Sequence, residues 1–117
     1  MKIKEIISLL EGELLTSEKH LEREINCAFG SDLISDILMC SKESALLLSG
    51  LTNPQVIRLS DMIDLLGIVF VRGKKPTQEI IDMAEERDLP LVATSLSLYK
   101  SAGILYNSGL RSCKING

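Results

Sequence analysis

Hydrophobic residues along the chain follow two periodicities that predict alternating strands and helices. Continuous apolar runs, such as Ala-Leu-Leu-Leu at 45–48 and Ile-Val-Phe-Val at 68–71, are typical of strands buried on both faces, as in a parallel sheet. Runs of this kind, bounded by polar or turn residues, predict strands at residues 13–16, 25–29, 45–48, 68–71 and 91–94. Val56-Ile57 is a candidate for one more short strand.

Apolar residues at helical spacing separate these runs. One face of a first helix, which Gly12 ends, is formed by Ile3, Ile6, Ile7 and Leu10. Capping residues or a first-turn proline predict later helix starts at Ser31-Asp32, Ser60-Asp61, Pro76 and residues 95–97. The apolar residues of the helix after Ser60-Asp61 are predicted to be Met62, Ile63, Leu65 and Leu66. The inward face of the last helix is predicted to be Leu98, Ala102, Leu105 and Tyr106, and residues 111–117 follow as a loose tail.

Strands that alternate with helices predict βαβ units and therefore an α/β fold. We expect a three-layer sandwich with a mostly parallel central sheet, formed chiefly by residues 25–29, 45–48, 68–71 and 91–94, and with helices on both faces. The sequence contains no internal repeat, no low-complexity stretch and no linker. Residues 1–117 are therefore predicted to form a single domain.

Composition and charge narrow the functional classes. The net charge is −3, whereas nucleic-acid binders are usually basic, so we expect no nucleic-acid partner. Aromatic residues make up only 3% of the chain, which leaves little material for base stacking. No stretch approaches the ~18 apolar residues of a membrane span, and the first residues lack the features of a signal peptide. We therefore expect a soluble, cytoplasmic protein without a membrane partner.

The residues that most often carry chemistry are few and scattered. Cys27, Cys40 and Cys113 are widely spaced, and His20 is the only histidine, so we predict no metal site, no cofactor and reduced thiols. The phosphate-binding loop, the dinucleotide-binding glycine motif and the nucleophile elbow are absent. His20 stands in a charged stretch typical of surface, and Cys27 in an apolar run typical of a core. We therefore expect that the protein is not an enzyme.

A candidate site follows from the rule that ligands bind outside the carboxyl ends of the strands in an open α/β sheet. Four turns stand at those ends, and their candidate ligand-binding residues are Gly30, Ser31, Asp32, Ser49, Gly50, Thr52, Asn53, Arg72, Gly73, Lys74, Thr94 and Ser95. Backbone N–H groups, hydroxyls and cations at such turns suit a phosphate or a carboxylate. The alternative is that these are ordinary turn and capping residues, because turns need Gly, Ser and Asn in any case.

Three segments resemble the DRTGG domain, which is itself similar to the N-terminal domain of HPr kinase/phosphorylase. They are GSDLISDIL at 30–38, LSGLTNPQVIR at 48–58 and IVFVRGKKP at 68–76, followed by Leu89-Pro90-Leu91 and Thr94. The resemblance implies a compact α/β domain that regulates or mediates association and has no known chemistry of its own. It also implies a larger regulatory or redox-enzyme partner. The literal five-residue signature and the phosphate-binding loop of the kinase half do not occur, so no kinase activity is carried over.

These observations favour a non-catalytic regulatory or protein-interaction module that senses a small anionic, nucleotide-like ligand. A second hypothesis is a purely structural dimerisation or partner-docking domain, and a third is a small enzyme of unrecognised type. Tyr99 and Tyr106, the only tyrosines, are seven residues apart on one side of the last helix, and tyrosine is enriched at interfaces. We therefore predict a homodimer that uses this helix or the turn around Leu51.

Overall fold

The computed structural model describes residues 1–40 and 43–114, and helices and strands alternate within them. The strands are β1 (Glu13–Leu14), β2 (Cys27–Gly30), β3 (Ala45–Ser49), β4 (Leu65–Phe70), β5 (Leu91–Ala93) and β6 (Arg111–Ser112). The α-helices are α1 (Ile3–Leu9), α2 (Ile34–Ile37), α3 (Pro54–Leu59), α4 (Gln78–Glu86) and α5 (Leu98–Asn107), and a short 3-10 helix covers Glu18–His20. None of the helices in these ranges has the length and apolar character needed to cross a membrane.

The described strands form one sheet in the order β1-β5-β4-β3-β2-β6. Within the run β5-β4-β3-β2-β6, every pair of neighbouring strands is parallel. β1 pairs antiparallel with the outer side of β5. The predicted mostly parallel sheet is therefore confirmed, with β3 and β4 at its centre. Every residue of β3 is at most 1% exposed, as its continuous apolar run predicted for a strand covered on both faces.

Two hydrophobic cores lie on opposite faces of this sheet. One packs Leu46, Leu48 and Val69 against α1 and α5, through residues such as Ile6 and Leu105. The other packs the alternate strand residues against α2, α3 and α4, and its members include Leu47, Ile68, Phe70, Ile37, Val56 and Ile80. Because successive strand side chains point to opposite faces, each apolar run supplies both cores. The three-layer α/β fold is confirmed.

The segment between β3 and β4 differs from the sequence prediction. Val56 and Ile57 lie in α3, which begins at Pro54 and is capped by the Asn53 side chain, so the short strand predicted here is wrong. The helix predicted to begin at Ser60-Asp61 is also wrong, because α3 ends there and the Ser60 hydroxyl donates to the Ile57 carbonyl at 2.7 Å. A first-turn proline with a good cap starts the helix earlier than periodicity alone indicated.

Later helix starts are nearer the predictions. Ser97 caps α5 by accepting a hydrogen bond from the Lys100 N–H, as expected for residues 95–97. Thr77, rather than Pro76, precedes α4 and caps it. The inward face of α5 is rotated from the predicted one. Ser101 and Leu105 are buried, whereas Ala102 and Tyr106, which we expected to face inward, are exposed.

Residues 111–113 do not form the loose tail that was predicted for residues 111–117. Residues 111–112 form β6 on the outer side of β2, and Cys113 is joined to Cys27 by a disulfide across 86 residues of sequence. The prediction of reduced thiols is therefore wrong for these two cysteines, and the third, Cys40, is buried. Apolar periodicity could not reveal β6, because its two residues are exposed. The part of the predicted tail at residues 115–117 lies outside the described residues.

Candidate functional site

The four predicted turns lie side by side at one edge of the sheet. Strands β2 to β5 are parallel, so their carboxyl ends meet at this edge. Backbone hydrogen bonds link neighbouring turns: Ser31 N donates to Leu48 O at 3.1 Å, Val71 N to Ser49 O at 3.0 Å, and Gly73 N to Thr94 O at 2.9 Å. The structure therefore brings together the segments that the strand-end rule selected from the sequence.

Asp32 is the point at which three of these segments converge. Its Oδ1 accepts hydrogen bonds from the backbone N–H of Gly50 at 2.7 Å and from the Ser49 hydroxyl at 3.1 Å. Its Oδ2 lies 3.4 Å from Nη2 of Arg72. These contacts join the end of β2 to the ends of β3 and β4. We call Asp32, Ser49, Gly50 and Arg72 the strand-end cluster.

The strand-end cluster favours negative charge at its centre. The hydrogen bond from the Gly50 N–H lowers the pKa of Asp32 from its ordinary value, partial burial opposes this, and Ser49 and Arg72 lower it further. Asp32 is therefore held as a carboxylate. Its role differs from the predicted helix cap, because α2 begins at Ile34 with Leu33 at the N-cap position and without a side-chain cap. Instead, the carboxylate accepts hydrogen bonds from Ser49, Gly50 and Arg72 at the ends of the neighbouring strands.

Arg72 reaches the cluster from a tight turn. Arg72 and Gly73 both have positive φ, at 58° and 69°, and Lys74 N donates to Val71 O at 3.2 Å, as in a type I′ turn. Its guanidinium lies so close over the backbone of Gly50 that a Cβ atom there would overlap it. Glycine at position 50 therefore makes room for the charge that faces Asp32.

Other predicted site residues serve the fold or face solvent. The Thr94 hydroxyl donates to Leu10 O at 2.7 Å and accepts from Leu96 N at 3.2 Å, so it fastens α1 to the end of β5. Asn53 caps α3, and Ser31 accepts from the Leu33 N–H at 3.1 Å in a local turn. Gly30 packs against Leu98, Thr52 is half-buried, and Lys74 and Ser95 are exposed beside the cluster.

A second feature, which the strand-end rule did not predict, is an open groove of about 870 Å³ beside α5. Its walls are α5 and the edge of the sheet at β2 and β6, including Ala28, Gly30, Gly103 and Ser112. Tyr99 and Tyr106 line it with 91% and 71% exposure. The spacing of these tyrosines pointed to this face, but the groove could not be predicted because β6, which forms its far wall, carries no apolar signal.

His20 and the group formed by Cys27, Glu43 and Cys113 are not part of the strand-end cluster. His20 Nε2 is 3.3 Å from Asp88 Oδ1, and its Nδ1 is 3.2 Å from Arg23 Nη2. The candidate ligand atoms of Cys27, Glu43 and Cys113 lie within 4.8 Å of one another. The two sulfurs are joined in the disulfide, however, and the Glu43 carboxylate accepts from Arg111 and from the backbone of Lys114.

The fold and the cluster define a small three-layer α/β domain with charged groups at its strand ends. No protein-family model and no curated protein matches the chain. Among solved structures, it is similar to the CBS and DRTGG domains of the regulatory region of a Clostridium perfringens pyrophosphatase, crystallised with its activator, diadenosine tetraphosphate. The TM-score is 0.73 at 14% identity, over 92% of this chain and 46% of that one. At this identity the likeness shows a shared α/β fold.

Proposed function

We propose that this chain is a regulatory module of the DRTGG kind that senses a small anionic, nucleotide-like ligand at the strand-end cluster. One observation carries the proposal: a backbone N–H, a hydroxyl and a guanidinium converge on one carboxylate at the end of three adjacent strands. Such donors are the groups with which proteins hold phosphates. The similar pyrophosphatase region was crystallised with a nucleotide activator, which agrees with a ligand of this class.

The proposed role is binding without catalysis. A general base works best when its pKa lies near the operating pH, whereas the Gly50, Ser49 and Arg72 contacts lower the pKa of Asp32. Ser49 is fully buried, and its hydroxyl already donates to Asp32 and accepts from Leu51 N. These contacts suit a cluster that holds an anion in place. A cytoplasmic location stays a prediction. The Cys27–Cys113 disulfide argues against it, because disulfides form mainly in oxidising compartments.

A panel of mono- and dinucleotides tests the proposed function by thermal melting. A ligand that binds only the folded state at about 100 times its dissociation constant stabilises it by about 2.7 kcal/mol, so the melting temperature rises. Arg72→Ala is expected to weaken binding by about 1–3 kcal/mol, the effect of losing a charged hydrogen-bond partner. Arg87→Ala is the matched control, because this exposed arginine follows α4 at the opposite end of the strands. A panel without any shift contradicts the proposal.

The second candidate function is dimerisation or partner docking through α5. Tyr99, Ala102, Gly103 and Tyr106 occupy one exposed face of this helix at spacings of three and four residues. Both tyrosine rings are largely exposed and line a mostly apolar groove. Tyrosine is enriched at protein–protein interfaces, so this face suits a contact with another chain. We propose a second copy of this chain as the partner. A larger regulatory or redox-enzyme partner stays a prediction from the family resemblance.

A further inference from the structure

Asp32 already occupies the position that an anionic ligand would take. The Gly50 N–H, the Ser49 hydroxyl and the Arg72 guanidinium all point at its two carboxylate oxygens. A phosphate or carboxylate ligand would be held by the same kind of donors. Each of these donors already bonds to Asp32 in the structure. Ligand and side chain therefore compete for one set of groups.

The donors of the strand-end cluster are fixed by the sheet. Ser49 is the last residue of β3 and is fully buried. Its hydroxyl accepts from Leu51 N at 3.0 Å, so its single hydrogen is directed at Asp32. The Gly50 N–H follows directly in the chain. Two of the three donors are thus oriented by the sheet and would stay in place if Asp32 left.

The acceptor, by contrast, lies on a weakly held segment. The Asp32 side chain is 43% exposed, and its ion pair with the 49% exposed Arg72 is of the solvated kind that contributes little. The next residue, Leu33, is 58% exposed, and α2 is only four residues long, with Ile37 as its buried anchor. Few buried contacts oppose movement here, so an incoming anion can replace the carboxylate.

We propose that Asp32 is an internal competitor that occupies the strand-end cluster in the empty protein, and that a phosphate-bearing ligand binds by displacing it. The displacement releases the residues before α2, which couples occupation of the site to the position of that helix. The inference rests on the proposed function, since it concerns the same donors. It adds a mechanism by which binding changes the protein's shape.

Calorimetric titration with inorganic phosphate, at constant ionic strength, tests the competition. Asp32→Asn removes the competing charge with little change in size, so phosphate binding is expected to tighten at least about tenfold, equivalent to about 1.4 kcal/mol. Asp36→Asn is the matched control, because Asp36 is an exposed carboxylate on α2 and its loss changes the net charge equally. It is expected to leave the phosphate affinity within about twofold of wild type.

The outcomes separate the two proposals. If Asp32→Asn binds phosphate like wild type, while Arg72→Ala weakens binding, the cluster is a site but the competition is wrong. Equal tightening by Asp32→Asn and Asp36→Asn also overturns the competition, since it reflects net charge alone. If neither wild type nor Asp32→Asn binds phosphate, the proposed site itself fails.

A measurement on the wild-type protein keeps the test independent of how well the variant folds. When phosphate saturates the protein, displacement predicts a change in the carbon NMR signal of the Asp32 side-chain carboxyl. The carboxyl of Asp61, an exposed residue between α3 and β4 at the other end of the strands, is expected to be unaffected. An Asp32 signal that stays constant while phosphate binds would overturn the proposal.

Discussion

The sequence predicts correctly that Asp32 lies at the carboxyl edge of the sheet, but it predicts the wrong hydrogen-bond partners for this side chain. The strand-end rule selected it correctly as a residue of the edge where β2, β3 and β4 end. Local reasoning made it a helix cap, because Asp commonly caps helices. Its actual partners, Gly50 and Arg72, are 18 and 40 residues away along the chain. No local pattern encodes which of several turn residues will meet across a sheet edge.

The lowered pKa of Asp32 predicts an acid-dependent contribution to stability. Folding lowers the pKa of Asp32, so its carboxylate stabilises the protein when the pH is above the pKa of the unfolded state, about 3.9. This contribution is lost as the pH falls through the pKa of the folded state. Wild type should therefore melt above Asp32→Asn at neutral pH. The difference should shrink on acidification below about pH 4. Thermal melts over this range measure it, and a pH-independent difference contradicts it.

Gly50 predicts a change that separates binding from stability. In Gly50→Ala, the new Cβ pushes the Arg72 guanidinium away from Asp32, and phosphate binding should weaken by about 1 kcal/mol or more. Stability should change by less than about 1 kcal/mol, because the end of a long side chain can move.

Gly103→Ala serves as the control for Gly50→Ala, since a Cβ there has nothing within 4 Å. This substitution should leave phosphate binding unchanged, because Gly103 lies on α5 and outside the strand-end cluster. Urea denaturation and phosphate titration of both variants give the comparison. Equal phosphate affinities in the two variants would show that phosphate binding does not depend on the position of the Arg72 guanidinium over Gly50.

At the scale of elements, apolar runs predicted the sheet better than they predicted helix boundaries. Residues 45–48 and 68–71 largely coincide with β3 and β4, because strands buried on both faces need continuous apolar sequence. Between them, Leu65 and Leu66 fit a helix period but extend β4. The reversal before β4 is made by Asp64, which has a positive φ of 51° and accepts from Ser44 N at 2.7 Å. That contact depends on the folded neighbour and is invisible in local sequence.

β6 is an element whose stability should depend on the disulfide. The Cys27–Cys113 bond links chain positions 86 residues apart and lies directly after β6, on the strand that β6 pairs with. Cys113→Ser should lower the free energy of unfolding by about 2–4 kcal/mol, as usual for loss of a disulfide. Urea denaturation with and without dithiothreitol measures this. Reductant should destabilise wild type but leave Cys113→Ser unchanged, and equal stabilities of all four samples would contradict the prediction.

At the scale of the whole molecule, the exposed face of α5 predicts self-association. A monomer has a mass of 12.9 kDa, and light scattering at micromolar concentration should give twice that value. Tyr99→Ser and Tyr106→Ser should each shift the mass towards the monomer, because each removes a large ring from the contact. Met62→Ser, at an exposed apolar residue outside α5, should not. A monomeric wild type, or a dimer indifferent to both tyrosine changes, excludes this interface.

The most direct test of an anion site at the strand ends is a phosphate titration of the wild-type protein, followed by amide NMR. The Gly50 N–H donates to Asp32 in the empty protein and is the fixed donor that an incoming phosphate would take over. Saturable shifts are therefore expected for the amides of Asp32, Gly50 and Gly73. Amides before β3 and β5, at the other end of the strands, should stay constant. Shifts confined to that other end, or no saturable shift at Gly50, would contradict a ligand site at the strand-end cluster.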